Sequence, residues 1–200
     1  VVTNDRPRID YTDTSDGVLL LEKAATNLIA YSEAFDNSYW TKSGASVVSG
    51  QVSPKGDTSA FKLVEDTSTG IHFNRSTTII GTTGLYYTMS FYAKAKENNW
   101  VVNYGGFGLR DEYAFFDLLN GVVGTVSSNA TAKIEALSDG WYKCSITSEL
   151  YNTQALNSYF FTANTDNVLS YTGDGTSGVY IFGAMLEQNS VASSYIPTQG

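Results

Sequence analysis

The chain is poor in the residues that staple small domains together and in those that carry most catalysis. It has one cysteine, Cys144, so no intrachain disulfide is available and stability must come from a packed core. The run Trp141-Tyr142-Lys143-Cys144-Ser145-Ile146 alternates, which places Cys144 on one face with Tyr142 and Ile146 and predicts a buried, inert thiol. The three prolines, Pro7, Pro54 and Pro197, lie outside the strand-like runs, as the loss of a ladder donor requires. Charged residues make up only 16%, and 12 Lys plus Arg stand against 20 Asp plus Glu. The resulting net charge of -8 repels a polyphosphate and excludes a basic nucleic-acid footprint. No apolar run reaches the length of a membrane span, which argues against insertion. Val1-Val2-Thr3-Asn4-Asp5 lacks the basic start and apolar run of a signal peptide, so the chain reads as a piece of a longer polypeptide.

Aromatic and neutral polar residues are abundant instead. The 14 Tyr, 10 Phe and 3 Trp sit in a background rich in Ser, Thr, Asn and Gly. Such a surface suits hydroxyl-rich ligands, and a Tyr-rich β core gives similar totals. Helical periodicity is nearly absent, whereas short alternating runs recur at intervals of roughly ten residues, the cadence of a sandwich or barrel. The class is all-β, as one domain over residues 23–200 preceded by an Asp- and Thr-rich arm over residues 1–22. In Tyr86-Tyr87-Thr88-Met89-Ser90-Phe91-Tyr92-Ala93-Lys94, the residues Tyr87, Met89, Phe91 and Ala93 form the core face, and Tyr92 and Lys94 point to a candidate binding surface. Further strands are expected over 59–64, 71–79, 100–104, 114–118, 131–136, 142–148, 159–162 and 178–186. Asn120-Gly121 marks a hairpin whose φ > 0 tolerance fits a type I′ turn.

Signals for chemistry are weak. The only histidine, His72, sits in Gly70-Ile71-His72-Phe73-Asn74 on an alternating run, where a surface or ligand-contacting residue is the better reading than a proton-transfer catalyst. Glu65-Asp66 and Asp111-Glu112 are adjacent in sequence, so on a strand each pair splits between two faces and forms no hydrolytic dyad. Asp10, Asp13, Asp16 and Gly17 fail as an EF-hand loop, because the position that needs Glu is Lys23. Trp100 and Tyr104 share a face and are followed by Gly105-Gly106-Phe107-Gly108-Leu109-Arg110. Phe107, Arg110 and Tyr113 would complete a stacking and hydrogen-bonding site with them, and Tyr92, Lys94, His72 and Asn74 would flank it. The residues alone leave a second reading open, in which Trp100 and Tyr104 fill the core and the glycines merely turn.

Several segments together resemble a known type of domain. These are Arg8-Ile9-Asp10-Tyr11, Leu20-Leu21-Glu22, Thr26-Asn27-Leu28-Ile29, Gly140-Trp141-Tyr142-Lys143-Cys144-Ser145, the Gly-rich turn and strand from Ser170 to Glu187, and Ser194-Tyr195-Ile196-Pro197-Thr198. They are similar to the β-sandwich domains of bacteriophage tail, fibre and spike proteins, which resemble in turn the jelly-roll carbohydrate-binding modules of polysaccharide-degrading enzymes. The resemblance implies a two-sheet antiparallel jelly roll with a concanavalin-like sandwich, a polysaccharide partner, no catalysis, and a place outside the cell or on a virion within a larger, homo-oligomeric assembly. It also implies a structural calcium between an N-terminal strand and the last strand, with Ser32, Asp36 and Glu187 nearby. Arg75, Lys94 and Arg110 would then select an anionic glycan. The alternatives are a purely structural fibre domain and a polysaccharide lyase or hydrolase.

Overall fold

A computed structural model describes residues 8–10, 18–20, 24–107, 110–152 and 155–200, with backbone alone for the first two segments and for Arg110. The packing of the N-terminal arm lies outside the described residues. In chain order the strands are β1 (Arg8–Asp10), β2 (Val18–Leu20), β3 (Trp40–Ser43), β4 (Ala45–Gln51), β5 (Ala60–Glu65), β6 (Thr69–Gly70), β7 (Phe73–Ser76), β8 (Ile79–Ile80), β9 (Tyr86–Lys94), β10 (Trp100–Phe107), β11 (Arg110–Asp117), β12 (Val122–Val126), β13 (Ala130–Ala136), β14 (Trp141–Glu149), β15 (Ala155–Ala163), β16 (Tyr171–Thr172) and β17 (Gly178–Glu187). Two large antiparallel sheets form a β-sandwich. One runs β12-β11-β10-β15-β7-β3 with β8 beside β15, and the other runs β13-β14-β9-β17-β5-β4.

The side-chain period of two explains the core between them. From β9, Tyr87, Met89, Phe91 and Ala93 point inward and are fully buried, as do Cys144 and Ile146 from β14. Val101 and Phe107 from β10, with Phe116 and Phe160, meet them from the seven-stranded sheet. Trp40 stands at one edge of this core, its ring centroid 5.0 Å from Phe35 and 5.6 Å from Phe160. The expected strand over 71–79 is broken into β7 and β8, β12 is the second arm of the expected hairpin, and β1, β2, β3, β4, β6 and β16 are additional to the strands read from the sequence.

Two local readings are corrected. Gly105-Gly106 does not turn but continues β10, paired on both sides with β11 and β15. Gly105 serves packing instead, since a Cβ there would lie 2.4 Å from the Phe107 ring. The Asn120-Gly121 hairpin exists, but only Gly121 takes positive φ (+66°), which excludes type I′. The Gly121 amide donates to the Asp117 carbonyl at 2.9 Å, and the Asp117 carboxylate accepts from the amides of Leu119 and Asn120.

The outer faces of the two sheets differ. The C-terminal segment lies over the six-stranded sheet: Tyr195 packs edge-on against Phe182 and Tyr92, Lys143 Nζ donates to the Ser193 carbonyl, and Thr88 Oγ1 donates to the Asn189 carbonyl. That cover explains why Thr88, Ser90, Phe182, Met185 and Glu187 are all buried although they point away from the core. Beneath the segment, Trp141, Ala60 and Phe182 form a small second cluster. Among the described residues, no helix is long and apolar enough to cross a membrane.

Candidate functional site

The outer face of the seven-stranded sheet is built differently. Antiparallel register places Tyr113, Tyr104, Tyr159 and Arg75 in one row across β11, β10, β15 and β7. The next row is Phe115, Val102, Phe161 and Phe73, and Trp100 stands beyond it beside Ala163. Val102, Phe115, Phe161 and Ala163 are buried and form a bed, against which Trp100, Tyr104, Tyr113, Tyr159 and Phe73 lie half-buried. Tyr104 and Tyr113 are nearly parallel with ring centroids 6.3 Å apart, while Tyr159 meets Tyr104 edge-on at 5.5 Å. Strands are spaced by about 4.8 Å, so the row from Tyr113 to Arg75 extends over roughly 14 Å. The result is a band of aromatic surface interrupted only by polar tips.

Those tips are fixed by neighbours. Burial, reinforced by the Asp111 carboxylate on the same face, pushes the Tyr104 phenol well above its ordinary range, so it stays protonated as a donor. Arg75 Nη1 donates to the Tyr159 hydroxyl at 3.3 Å, and the guanidinium carbon sits 5.6 Å from the Tyr159 ring centroid. Trp100 is seated by Gly124, where a Cβ would come within 2.7 Å of its ring. The Asp166 carboxylate holds the same spot by accepting from the Thr125 amide at 2.8 Å and hydroxyl at 3.0 Å.

The structure brings Trp100, Tyr104 and Tyr113 together and separates Phe107, His72, Asn74, Tyr92 and Lys94 from them. Phe107 is fully buried in the main core, because β10 runs without a break and its odd-numbered residues point inward. His72 and Asn74 have the same inward parity in and before β7 and are completely buried. The His72 ring is within reach of two backbone carbonyls, Gly44 at 2.5 Å and Tyr171 at 3.3 Å, so its place is structural. Tyr92 and Lys94 belong to β9 of the other sheet, where Tyr92 is covered by Tyr195. Of Arg110 only the backbone is described, paired with Phe107. Sequence reasoning missed Phe73, Tyr159 and Phe161. Alternation through Phe73-Asn74-Arg75 and Tyr159-Phe160-Phe161 carried that signal, and reading the opposite parity selected His72 and Asn74.

Ser32, Asp36 and Glu187, the residues expected near calcium, have different surroundings. Ser32 Oγ is bonded to the Tyr195 hydroxyl at 2.7 Å and the Thr198 amide at 2.8 Å. Glu187 is completely buried, with its carboxylate accepting from the Ser193 amide at 2.8 Å and facing Asn189 Nδ2 at 3.4 Å. Asp36 is exposed and lines a separate recess of about 490 Å3 with Glu33, Asn37 and Ser59. Among the described residues, no group of three His, Cys, Asp or Glu side chains gathers to hold a metal. The adjacent carboxylates divide as strand geometry requires: Glu112 is buried and Asp111 exposed, Glu65 buried and Asp66 exposed.

No family model matches the chain, and no curated protein does. Among solved structures, it is similar to the enzymatically active domain of tailspike protein 4 of bacteriophage CBA120, at 16% identity over 80% of this chain, TM-score 0.49. It spans only 21% of that tailspike chain. It is also similar to TmCBM61, solved in complex with beta-1,4-galactotriose, at 11% identity over 82% of this chain and 99% of that one, TM-score 0.49. A third is the CBM22-1 xylan-binding domain from Paenibacillus barcinonensis, at 13% identity over 86% and 100% of the two chains, TM-score 0.46.

Proposed function

We propose that the chain is a non-catalytic carbohydrate-binding module whose ligand lies along the outer face of the seven-stranded sheet. The observation that carries this reading is the aromatic band itself: half-buried rings of Trp100, Tyr104, Tyr113, Tyr159 and Phe73 on a buried apolar bed. Sugar rings present C–H faces that stack on aromatic rings and hydroxyls that pair with the phenol tips, so a band of this composition suits a glycan chain. Each sugar contributes weakly, and several copies on one assembly would supply avidity. The setting is that of the resemblance: a module of a phage-type tail, fibre or spike protein, or of a secreted polysaccharide-targeting protein, outside the cell or on a virion. Non-catalytic action is supported by the burial of His72 and the separation of adjacent carboxylates.

The test is a glycan array on the purified domain, followed by affinity measurements on Trp100→Ala and Tyr104→Ala. Both substitutions are expected to reduce affinity by about tenfold or more, with the fold retained. Unchanged affinity in both would remove the face from the site. The same apolar band favours one other reading, a protein interface in an oligomeric fibre. Sedimentation that shows oligomers dissolved by Tyr104→Ala, with no array signal, would select it.

A further inference from the structure

Arg75 occupies an unusual position on this face. Its guanidinium has five donors, and among the described residues its only hydrogen bond is the long one from Nη1 to the Tyr159 hydroxyl at 3.3 Å. Nε is buried with no partner. No described carboxylate lies within ion-pair distance of it, in a chain that carries 20 acidic residues against 12 basic ones. The described acids of the same face are Asp111 and Asp117 on β11, three strands away from β7, and Asp166, which is bonded to Thr125 of β12, one strand farther. The aromatic band thus ends on a cation held over Tyr159 with most of its donors unused. Leaving a buried donor unpaired is costly, and an incoming anion that draws the guanidinium outward would relieve that cost while gaining a charge-assisted bond.

From this we infer that the ligand is an acidic glycan, a polysaccharide with uronate carboxylates, one of which pairs with Arg75 while neighbouring sugars stack on Tyr159 and Tyr104. The inference rests on the reading of this face as a glycan site. Arg75 acts as the specificity residue: a neutral sugar leaves the guanidinium in its present state, and a carboxylate engages it in the fork geometry that Lys cannot reproduce.

The experiment pairs each acidic polysaccharide (polygalacturonate, alginate, hyaluronan, glucuronoxylan) with its carboxyl-reduced form, and adds neutral xylan, mannan and galactan. Affinities are measured for the unaltered protein, Arg75→Gln and Arg75→Lys, with melting curves to verify folding. At least one acidic polymer is expected to bind about tenfold tighter than its reduced form, a preference lost in Arg75→Gln and largely lost in Arg75→Lys. Binding confined to neutral polymers overturns the inference and keeps the glycan site. A preference for the acid that survives in both variants also overturns it, by placing the cation elsewhere. Absence of binding to every polymer removes the glycan reading itself.

Discussion

Asn27 is the residue on which most depends for its size. It is buried, and its amide donates to the carbonyls of Ala184 at 3.0 Å and Ile196 at 2.8 Å. Its side-chain oxygen accepts from the amides of Ile29 at 3.0 Å and Leu186 at 3.1 Å. One side chain therefore satisfies four backbone groups from the N-terminal segment, β17 and the C-terminal segment, at the place where the β17–β9 register shifts between Phe182 and Met185. Replacing it with Ala would leave those groups unpaired in a dry site, at a cost of about 3 kcal/mol. At this chain length the melting temperature should fall by about 6–12 °C. Thermal unfolding of Asn27→Ala measures it, and a shift of a degree or less would show that water replaces the amide. The sequence offers no sign of this role, because a buried amide clamp depends on contacts more than 150 residues apart. Cys144 was legible, because alternation alone fixed its inward direction. Burial raises its thiol pKa well above the ordinary value, as an inert core thiol requires.

At the scale of elements, alternation made most long strands readable but could not tell which of two outward faces is covered. Tyr92 and Tyr104 both alternate out of their strands, yet one lies under Tyr195 and the other on the open band. Strand parity is local information, whereas the cover comes from a tail some hundred residues away in sequence from Tyr92. Turns are set more locally. In the turn before β17 the Asp174 carboxylate accepts from the amides of Thr176 at 2.7 Å and Ser177 at 2.6 Å and from the Ser177 hydroxyl at 2.6 Å. Asp57 caps a second turn by accepting from the hydroxyl of Ser53 at 2.6 Å and the amide of Ser59 at 3.1 Å. These hydrogen bonds favour the ionised forms and hold both carboxyls far below their ordinary range. A depressed pKa stabilises the fold above the unfolded value of about 4, and that contribution disappears as pH falls toward the folded value. The melting temperature should therefore decline below about pH 4, and the Asp174→Ala, Asp57→Ala double variant should show a shallower decline. An identical acid slope in the variant would assign the effect to other carboxylates.

For the whole molecule, the two sheets divide the work: one outer face is closed by the chain's own C-terminal segment, and the other keeps its rings at the surface. Both arrangements bury phenols, and this gives the fold an alkaline limit. Tyr195 is raised well above its ordinary range, chiefly by burial and further by Glu33, although its bond to Ser32 opposes the shift. Tyr171, which donates to the buried Glu65 carboxylate at 2.6 Å, is raised by burial and by that carboxylate. Burial, with Glu135 as the lesser cause, pushes Tyr92 up to about 12. Each group is protonated in the folded state at a pH where the unfolded chain, with phenols near 10, has begun to ionise. A raised folded pKa gives stability that is complete below the unfolded value and is lost as pH rises through the folded one. The melting temperature should accordingly hold to about pH 10 and then fall steeply, as ionisation of the unfolded chain draws the equilibrium. Phenolate absorbance should rise in two steps, the second coinciding with loss of the native circular dichroism signal. Because Tyr104 is shielded on the open band, a bound glycan that covers it further should delay the second step. A single titration step near pH 10 with the sheet signal intact would show instead that solvent reaches these phenols in the native state.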